Sequence, residues 1–284
     1  MILGKVAVLL ENTKFAHTVF ALPFAYTGMV LAAGGLPDGR QFVWVTLAMV
    51  GARTLAMSAN RLIDAEIDAR NARTAGRPLP RGIIKPADVW PVIAVSLVLY
   101  FTAAWWLNDL TLGLAPVALV FLIGYSYTKR FTWASHWVLG ITDGAAAAGG
   151  WIAVSGRFTP GSWLLWLAVA VWIAGFDLLY ACQDVEFDRR EGLHSLPARF
   201  GVAAALRWAR LCHLLTALSL LALGAIMGLG FAYWLGWAVA VALLLYEHSL
   251  VRPDDLSRLD MAFFNVNGYI SIIVFGATLT ALLL

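Results

Sequence analysis

Nine stretches of about 20 mostly apolar residues constrain the fold of this 284-residue chain more than any other feature. They run approximately over Phe15–Leu36, Phe42–Asn60, Val89–Leu107, Leu110–Tyr127, His136–Ser155, Ser162–Gln183, Leu211–Leu229, Phe231–Leu250 and Phe263–Leu284. Each can cross a bilayer as an α-helix, which satisfies its own backbone hydrogen bonds. The chain is 61% hydrophobic and 13% charged, whereas about 25% of the residues of a soluble domain are charged. We therefore predict an all-α, polytopic membrane protein of nine transmembrane helices, forming one integral-membrane domain over residues 1–284.

The basic residues predict how these helices are oriented. If the amino terminus lies inside the cell, 17 of the 20 Lys and Arg residues fall in inside segments. Only Arg40 and Arg157 then lie in outside loops, and Arg53 lies within the second stretch. Cytoplasmic loops of membrane proteins carry such an excess of positive charge. We therefore expect an integral inner-membrane (cell-membrane) protein with a cytoplasmic amino terminus.

Two polar motifs end the second and sixth apolar stretches, 120 residues apart. The first motif is Asn60, Asp64 and Asp68, and the second motif is Tyr180, Asp184 and Asp188. Residues four apart lie on one face of a helix, so each motif is expected to present its acids together. The matching positions indicate a weak two-fold internal repeat that brings both motifs to one shared site on the cytoplasmic side.

The chemistry that these motifs can support is metal-assisted. Carboxylates bind Mg²⁺, which also accepts phosphate oxygens and water as ligands. Two acidic faces would hold two ions, and the ions could then take a substrate with more negative charge, such as a diphosphate. Basic residues near the motifs strengthen this expectation, because Arg and Lys bind phosphate oxygens. These residues are Arg61, Arg70, Arg73, Arg77, Lys129, Arg130, Arg189 and Arg190.

Three charged residues, Arg53, Asp143 and Asp177, are predicted to lie deeper in the membrane. Ionisable groups at that depth are costly and normally face a cavity or a partner. One interpretation is a structural Arg–Asp pair between neighbouring helices. The other is a polar pocket beneath the metals, in which Arg53 receives an acidic or phenolic co-substrate.

A metal-bound diphosphate inside a membrane protein narrows the reaction. If diphosphate is the leaving group of an allylic lipid, Mg²⁺ assists its departure as a Lewis acid. An electron-rich acceptor can then capture the carbocation, so no side-chain nucleophile is needed. The sequence contains no HExxH, GxSxG, Walker or Rossmann pattern that would indicate a different chemistry.

With these residues in view, the chain resembles the UbiA superfamily of intramembrane prenyltransferases over nearly its full length. The first motif matches the family's Asn/Asp signature, and Arg73–Gly82 is similar to its Arg-Pro-Leu loop. Tyr125–Thr132 resembles its Tyr/Lys-Arg segment, and the second motif with Gly192–Gly201 resembles the family's second motif and loop. Four segments in this order make the resemblance specific. His194 stands where the family often has Lys, so a diphosphate role at that position is open.

The resemblance implies a UbiA-like nine-helix fold, two Mg²⁺ ions, and transfer of a prenyl group from a polyprenyl diphosphate to an aromatic acid. The implied catalytic and metal-binding residues are Asn60, Asp64, Asp68, Asp184 and Asp188. The implied diphosphate-binding residues are Arg61, Arg77, Tyr125, Lys129, Arg130 and Tyr180. The implied acceptor-binding residues are Arg53, Asp143 and Asp177. The expected partners are these two substrates and the lipid bilayer. No nucleic-acid partner is expected.

The sequence alone does not determine the aromatic acceptor. The segment from Glu11 to Phe24 is similar to the 4-hydroxybenzoate polyprenyltransferase-like subgroup, part of which serves menaquinone synthesis by the futalosine route. The acceptor is therefore of the 4-hydroxybenzoate or the 1,4-dihydroxy-6-naphthoate type, in ubiquinone or menaquinone biosynthesis. Two other classes also stay open: a proton-coupled transporter, suggested by the deep charges, and a CDP-alcohol phosphotransferase-like enzyme, whose long Asp-Gly signature is missing.

Overall fold

The computed structural model describes residues 8, 9, 11, 12 and 18–284, so the first three residues of the predicted stretch Phe15–Leu36 lie outside the described residues. The helices are α1 (Thr18–Ala33), α2 (Gly39–Ile63), α3 (Ala65–Arg70), α4 (Pro86–Leu107), α5 (Asp109–Thr128), α6 (Ser135–Ser155), α7 (Pro160–Tyr180), α8 (Val185–Arg190), α9 (Leu196–Phe200), α10 (Val202–Ile226), α11 (Phe231–Leu250) and α12 (Asn267–Leu283). A 3₁₀ turn spans Ala181–Asp184 and a π-helix spans Met261–Val266. Within the described residues there is no strand, which confirms the all-α prediction.

The predicted membrane spans correspond closely to these helices. In the described part of the chain, seven helical segments are long and apolar enough to cross a membrane. The first and last predicted spans appear as the shorter apolar helices α1, with 16 residues, and α12, with 17 residues. The π-helix Met261–Val266 directly precedes α12 and lengthens its helical path. The architecture is therefore consistent with nine spans, and that count stays a prediction.

One predicted boundary differs clearly from the structure. The seventh stretch was expected to begin at Leu211, but α10 begins at Val202 and is 25 residues long. The additional turns carry Arg207 and Arg210, which a hydropathy pattern places outside the membrane. A helix does not have to end where the hydrocarbon ends, because its backbone hydrogen bonds are satisfied in either environment.

Polar side chains begin the helices at the predicted outside ends. Asp38 accepts a hydrogen bond from the Gln41 backbone N–H, with 2.7 Å between donor and acceptor, and so caps α2. Asn108 accepts in the same way from Thr111 at the start of α5, at 2.9 Å. Such caps satisfy backbone donors that have no partner within the helix. The turn between two spans is therefore fixed locally by its own sequence.

Small residues let α6 pack tightly between α1 and α7. A Cβ atom at Gly28 of α1 would overlap the Ala147 carbonyl oxygen, and a Cβ atom at Gly150 would overlap the Ala25 carbonyl oxygen. On the other side, a Cβ atom at Gly144 would lie 2.7 Å from the Ala170 nitrogen. In membranes, close backbone approach of this kind is a main source of helix association. The Ala- and Gly-rich sequence of α6 thus allows it to lie in backbone contact with both neighbouring helices.

We predict that Gly150→Ala destabilises the protein by about 1–3 kcal/mol, because the added methyl group overlaps the α1 backbone. The adjacent Gly149 provides a matched control, since a Cβ atom there meets nothing within 4 Å. Gly149→Ala should leave stability unchanged or raise it by up to about 1 kcal/mol through helix propensity. Thermal unfolding of the detergent-solubilised variants measures both, and equal midpoints for the two variants would contradict the packing described.

Candidate functional site

The first motif lies across a break between α2 and α3. Asp64 follows the last residue of α2 and has φ −96° and ψ 4°, which are not helical values. Its N–H still bonds to the Asn60 carbonyl at 2.9 Å, and the Asp68 N–H bonds to the Asp64 carbonyl at 2.7 Å. The motif therefore does not lie on one continuous α-helix, but the i to i+4 hydrogen bonds that align its residues are kept.

The second motif repeats this break. The 3₁₀ turn Ala181–Asp184 follows α7, and Asp184 has φ −98° and ψ 6°. A short helix of six residues then carries Asp188, just as α3, also six residues long, carries Asp68. The two motifs share a backbone conformation as well as a spacing. The predicted internal repeat is thus visible in the structure at the two motifs.

Both motifs open into one cavity of about 140 Å³. Its polar lining residues are Asn60, Arg61, Asp64, Asp68, Asn71, Arg73, Arg77, Lys129, Asp184 and Asp188, with Ile67, Phe187 and Leu193 as the apolar part. The structure therefore brings together all five residues predicted to bind metal. Of the residues predicted to bind diphosphate, Arg61, Arg77 and Lys129 line the cavity, whereas Tyr125, Arg130 and Tyr180 are not part of that lining.

Asp68 is held by two arginines. Its Oδ2 atom lies 2.5 Å from Nη1 of Arg77 and 3.9 Å from Nη1 of Arg61. Arg61 is itself buried and donates from Nε to the Asn12 carbonyl oxygen at 3.0 Å. Asn12, which precedes the first span, therefore helps to hold Arg61 at the site.

Asp184 is held by residues from the opposite half of the protein. Arg73 donates to both carboxylate oxygens, at 3.1 and 2.6 Å, and Asn71 donates to Oδ1 at 3.0 Å. Arg73 also donates to the Tyr180 hydroxyl at 3.1 Å and lies over its ring. Burial lowers the pKa of Arg73, but the hydrogen bonds and charge of Asp184 outweigh this effect and raise that pKa above its ordinary value. The loop after the first motif thus crosses the cavity.

Asp64 is bound from the end of α5. Lys129 Nζ lies 3.3 Å from its Oδ2 atom, and the Asn60 side chain donates to the same oxygen at 3.0 Å. Asn60 also donates to the Ser126 hydroxyl at 3.1 Å, which ties α2 to α5. Asn60 therefore orients the carboxylate next to it.

Arg130 does not line the cavity, unlike its neighbour Lys129, and it contacts the end of α2 instead. Its Nη2 atom donates to the Ile63 carbonyl oxygen at 2.6 Å and to Asp64 at 3.2 Å. The guanidinium group also lies over the Tyr127 ring, 5.0 Å from its centroid. A cation at the carboxyl end of a helix satisfies a free carbonyl and stabilises the helix dipole.

Asp188 differs from the other three acids. Its partner is the Ser195 hydroxyl, which donates to Oδ2 at 2.6 Å. His194, next in the loop, is exposed, and its ring contacts the Gly192 carbonyl at 3.2 Å instead of the cavity. The position where the family often has Lys therefore adds no cation to the lining of the cavity.

The cavity is balanced in charge. Its lining contains four carboxylates and four basic side chains, namely Arg61, Arg73, Arg77 and Lys129. Among the described residues, no three Asp, Glu, His or Cys side chains already converge in a geometry that would hold a metal ion. The donor set still fits Mg²⁺, because it consists of carboxylate and amide oxygens around a small polar cavity.

The deeper charges form a second polar layer inside the bundle. Asp143 lies within electrostatic reach of Arg53 and Asp177, and Tyr125 lies within reach of Asp143 and Asp64. Arg53 Nε is buried and, among the described residues, has no hydrogen-bond partner. Asp177 is bonded to His136, with 2.7 Å between Oδ2 and Nδ1. Arg53 and Asp143 therefore attract each other, but this attraction leaves Nε of Arg53 without a hydrogen bond among the described residues.

Four polar residues near the site were not singled out by the sequence, namely Asn71, Ser126, His136 and Ser195. Each bonds to a motif residue or to one of the deep acids. Asn71 follows Asp68 by three residues, which places it near the same face of a helix and is a usable signal. Ser126 meets Asn60 across 66 residues, and Ser195 meets Asp188 across the turn between α8 and α9, so spacing alone does not reveal these two contacts.

Comparison with known proteins gives consistent matches. A model of the UbiA prenyltransferase family matches residues 21–269. The chain is 35% identical to a 4-hydroxybenzoate octaprenyltransferase of Aeromonas salmonicida over 258 residues, which cover 89% of this chain and 87% of that protein. These matches include both motifs and the loops that follow them.

Solved structures match over the whole bundle. The apo structure of a UbiA homologue from Aeropyrum pernix K1 is 33% identical, with a TM-score of 0.86 over 95% of this chain and 98% of that one. A UbiA homologue from Archaeoglobus fulgidus bound to GPP and Mg²⁺ has a TM-score of 0.75 over 96% of this chain and 99% of that one, at 19% identity. The second likeness shows the shared fold.

We predict that Arg130→Ala lowers the stability of the metal-free protein by about 1.5–3 kcal/mol, because the Ile63 carbonyl and the buried Asp64 lose a charged donor. Lys129→Ala is the control, since Lys129 is as exposed as Arg130 but makes a single 3.3 Å side-chain contact with Asp64 and, among the described residues, binds no carbonyl oxygen. It should cost less than about 1 kcal/mol. Thermal unfolding in EDTA compares the two, and a larger loss for Lys129→Ala would contradict this assignment.

Proposed function

The chain belongs to the UbiA prenyltransferase family, and we propose that it transfers a polyprenyl group from an allylic prenyl diphosphate to an aromatic acid in quinone biosynthesis. The observation that carries this proposal is the single cavity lined by four carboxylates and four basic side chains. Donors for both metal and diphosphate are thereby concentrated at one end of the bundle. This position also favours an enzyme over the transporter, and the match to the UbiA family favours a prenyltransferase over the CDP-alcohol phosphotransferase-like enzyme.

The carboxylates would hold the divalent metal of the reaction. We assign Asp64 and Asp68 to one Mg²⁺ and Asp184 and Asp188 to a second, with Asn60 orienting Asp64. When bound, Mg²⁺ supplies Lewis-acid stabilisation of the departing diphosphate. In support, Mg²⁺ accompanies GPP in the Archaeoglobus fulgidus homologue.

The basic side chains would bind the diphosphate. Arg61, Arg77 and Lys129 already point into the cavity, and Arg73 joins them from the loop after the first motif. Guanidinium groups bind phosphate oxygens as they bind carboxylates, in paired hydrogen bonds. We expect Tyr125, Arg130 and Tyr180 to orient this set. Each contacts a residue that lines the cavity or lies within electrostatic reach of one.

The aromatic acid would bind in the deeper layer. Arg53 is suited to its carboxylate, because its buried Nε lacks a partner among the described residues. Asp143 and Asp177 would face the phenolic side of the ring. In the reaction, the bond from the prenyl carbon to diphosphate oxygen breaks, a bond to an aromatic carbon forms, and that carbon loses its proton. The reaction takes place next to apolar helices, which keep water from the allylic cation.

The acceptor and the orientation also belong to this proposal. The relative from Aeromonas salmonicida is a 4-hydroxybenzoate octaprenyltransferase, which supports 4-hydroxybenzoate and the ubiquinone route. A dihydroxynaphthoate acceptor in menaquinone synthesis is the second candidate, from the similarity of the amino-terminal segment. The excess of basic residues on the side of the motifs supports a cytoplasmic cavity mouth in the inner membrane.

We predict that membranes containing the protein prenylate one aromatic acid when Mg²⁺ is present and none when EDTA is added. The panel should contain 4-hydroxybenzoate and both isomeric dihydroxynaphthoates, each with prenyl diphosphates of several chain lengths. Mass spectrometry of the extracted lipids identifies the product. Transfer that persists in EDTA, or no transfer to any acceptor, would overturn the proposed function.

We predict that Asp64→Asn and Asp184→Asn each reduce prenyl transfer by more than about 100-fold, because each removes a charged ligand from the cavity. Glu66 and Glu186 provide controls, since they lie within the same motifs but are exposed and absent from the cavity lining. Glu66→Gln and Glu186→Gln make the same change in charge and should keep at least half of the activity. Equal losses in the two pairs would sink the assignment of the acids.

A further inference from the structure

His136, in the first turn of α6, is 4% exposed and both of its ring nitrogens are engaged. The Leu196 backbone N–H donates to Nε2 at 3.3 Å, so this nitrogen is an acceptor and carries no proton. The proton therefore lies on Nδ1, which donates to Oδ2 of Asp177 at 2.7 Å. His136 thus connects one of the deep acids of α7 with the loop that follows the second motif.

The contact with Leu196 fixes the point at which α9 begins. Ser195 is the cap of α9 and accepts from the Ala198 N–H at 3.3 Å. The same hydroxyl donates to Asp188 at 2.6 Å. On the other side of the loop, the His194 N–H donates to the Lys129 carbonyl at 2.6 Å. The hydroxyl that meets Asp188 is thus placed by its two neighbours, one bound to His136 and one to α5.

Asp188 differs from the other three motif acids in its dependence on a hydroxyl group. Asp64, Asp68 and Asp184 each pair with at least one Arg or Lys. Asp188 is 8% exposed, and in the described part of the chain no Lys or Arg lies within 4 Å of its oxygens. A buried carboxylate needs hydrogen bonds to keep its orientation. Since Ser195 takes Oδ2, the other oxygen is left for the cavity.

We infer that His136 is a positioning residue for Asp188 and acts through the Leu196 N–H and the Ser195 hydroxyl. Asp177 sets the tautomer of the imidazole, so that Nε2 is available as the acceptor. The inference deepens the proposed function, and it rests on that function where it takes Asp188 as a metal ligand. Groups that orient a metal ligand typically contribute about 10–100-fold to metal affinity.

The test is a Mn²⁺ titration of the purified, detergent-solubilised protein, followed by the electron paramagnetic resonance signal of the free ion. His136→Phe and Ser195→Ala should each raise the half-saturating Mn²⁺ concentration by about 10-fold or more. The double variant should be no weaker than either single variant, because both act on Asp188 through one chain of contacts. His136→Gln should restore binding to near that of the wild type, since its amide can accept from Leu196 and donate to Asp177.

Several outcomes would overturn the inference. These are wild-type affinity in Ser195→Ala, wild-type affinity in folded His136→Phe, additive losses in the double variant, or no Mn²⁺ binding by the wild type. If His136→Phe fails to fold, Ser195→Ala still overturns the inference when it binds Mn²⁺ as tightly as the wild type does. Failure of the proposed function looks different: the wild type would bind Mn²⁺ with the expected pattern and yet prenylate no acceptor.

Discussion

Pairing between buried carboxylates and basic side chains in one cavity is the constraint on which the rest of the structure depends. Asp64, Asp68 and Asp188 are only 3%, 6% and 8% exposed. A buried carboxylate without a partner would cost several kcal/mol, so each must find a cation or a strong donor. Asp184 takes its partners Asn71 and Arg73 from the loop after the first motif, and Asp64 takes Lys129 from the end of α5. The acids therefore tie the two halves together and at the same time keep oxygen donors ready for metal.

The packing of the helices around this cavity connects its mouth with the deeper polar layer. α6 is fixed between α1 and α7 by backbone contacts that admit no larger residue at Gly28, Gly144 or Gly150. His136 in α6 and Asp177 in α7 then project from rigid helices towards the loop after the second motif. The prenyl donor at the mouth and the acceptor in the deeper layer would thus be held by elements that cannot shift independently. Such preorganisation is what an intramembrane alkyl transfer requires.

The sequence was sufficient for the class of fold and for the acids, because hydropathy, the distribution of basic residues and the spacing of four each report a strong physical preference. It was not sufficient for the break at Asp64 and Asp184, because an i to i+4 pattern survives a local change of φ and ψ. The contact of Ser126 with Asn60 spans 66 residues, and the contact of Ser195 with Asp188 crosses the turn between α8 and α9, so a helical periodicity encodes neither. The roles of the motif residues in metal and substrate binding stay predictions.

The two motifs are proposed to form one metal and diphosphate site. Equilibrium dialysis with Mn²⁺, in the presence of an unreactive prenyl diphosphate analogue, tests whether they do. We expect two ions per chain with the analogue bound, and binding of the analogue that disappears when the metal is removed. Binding of the analogue that is equally strong without any divalent ion would contradict this proposal.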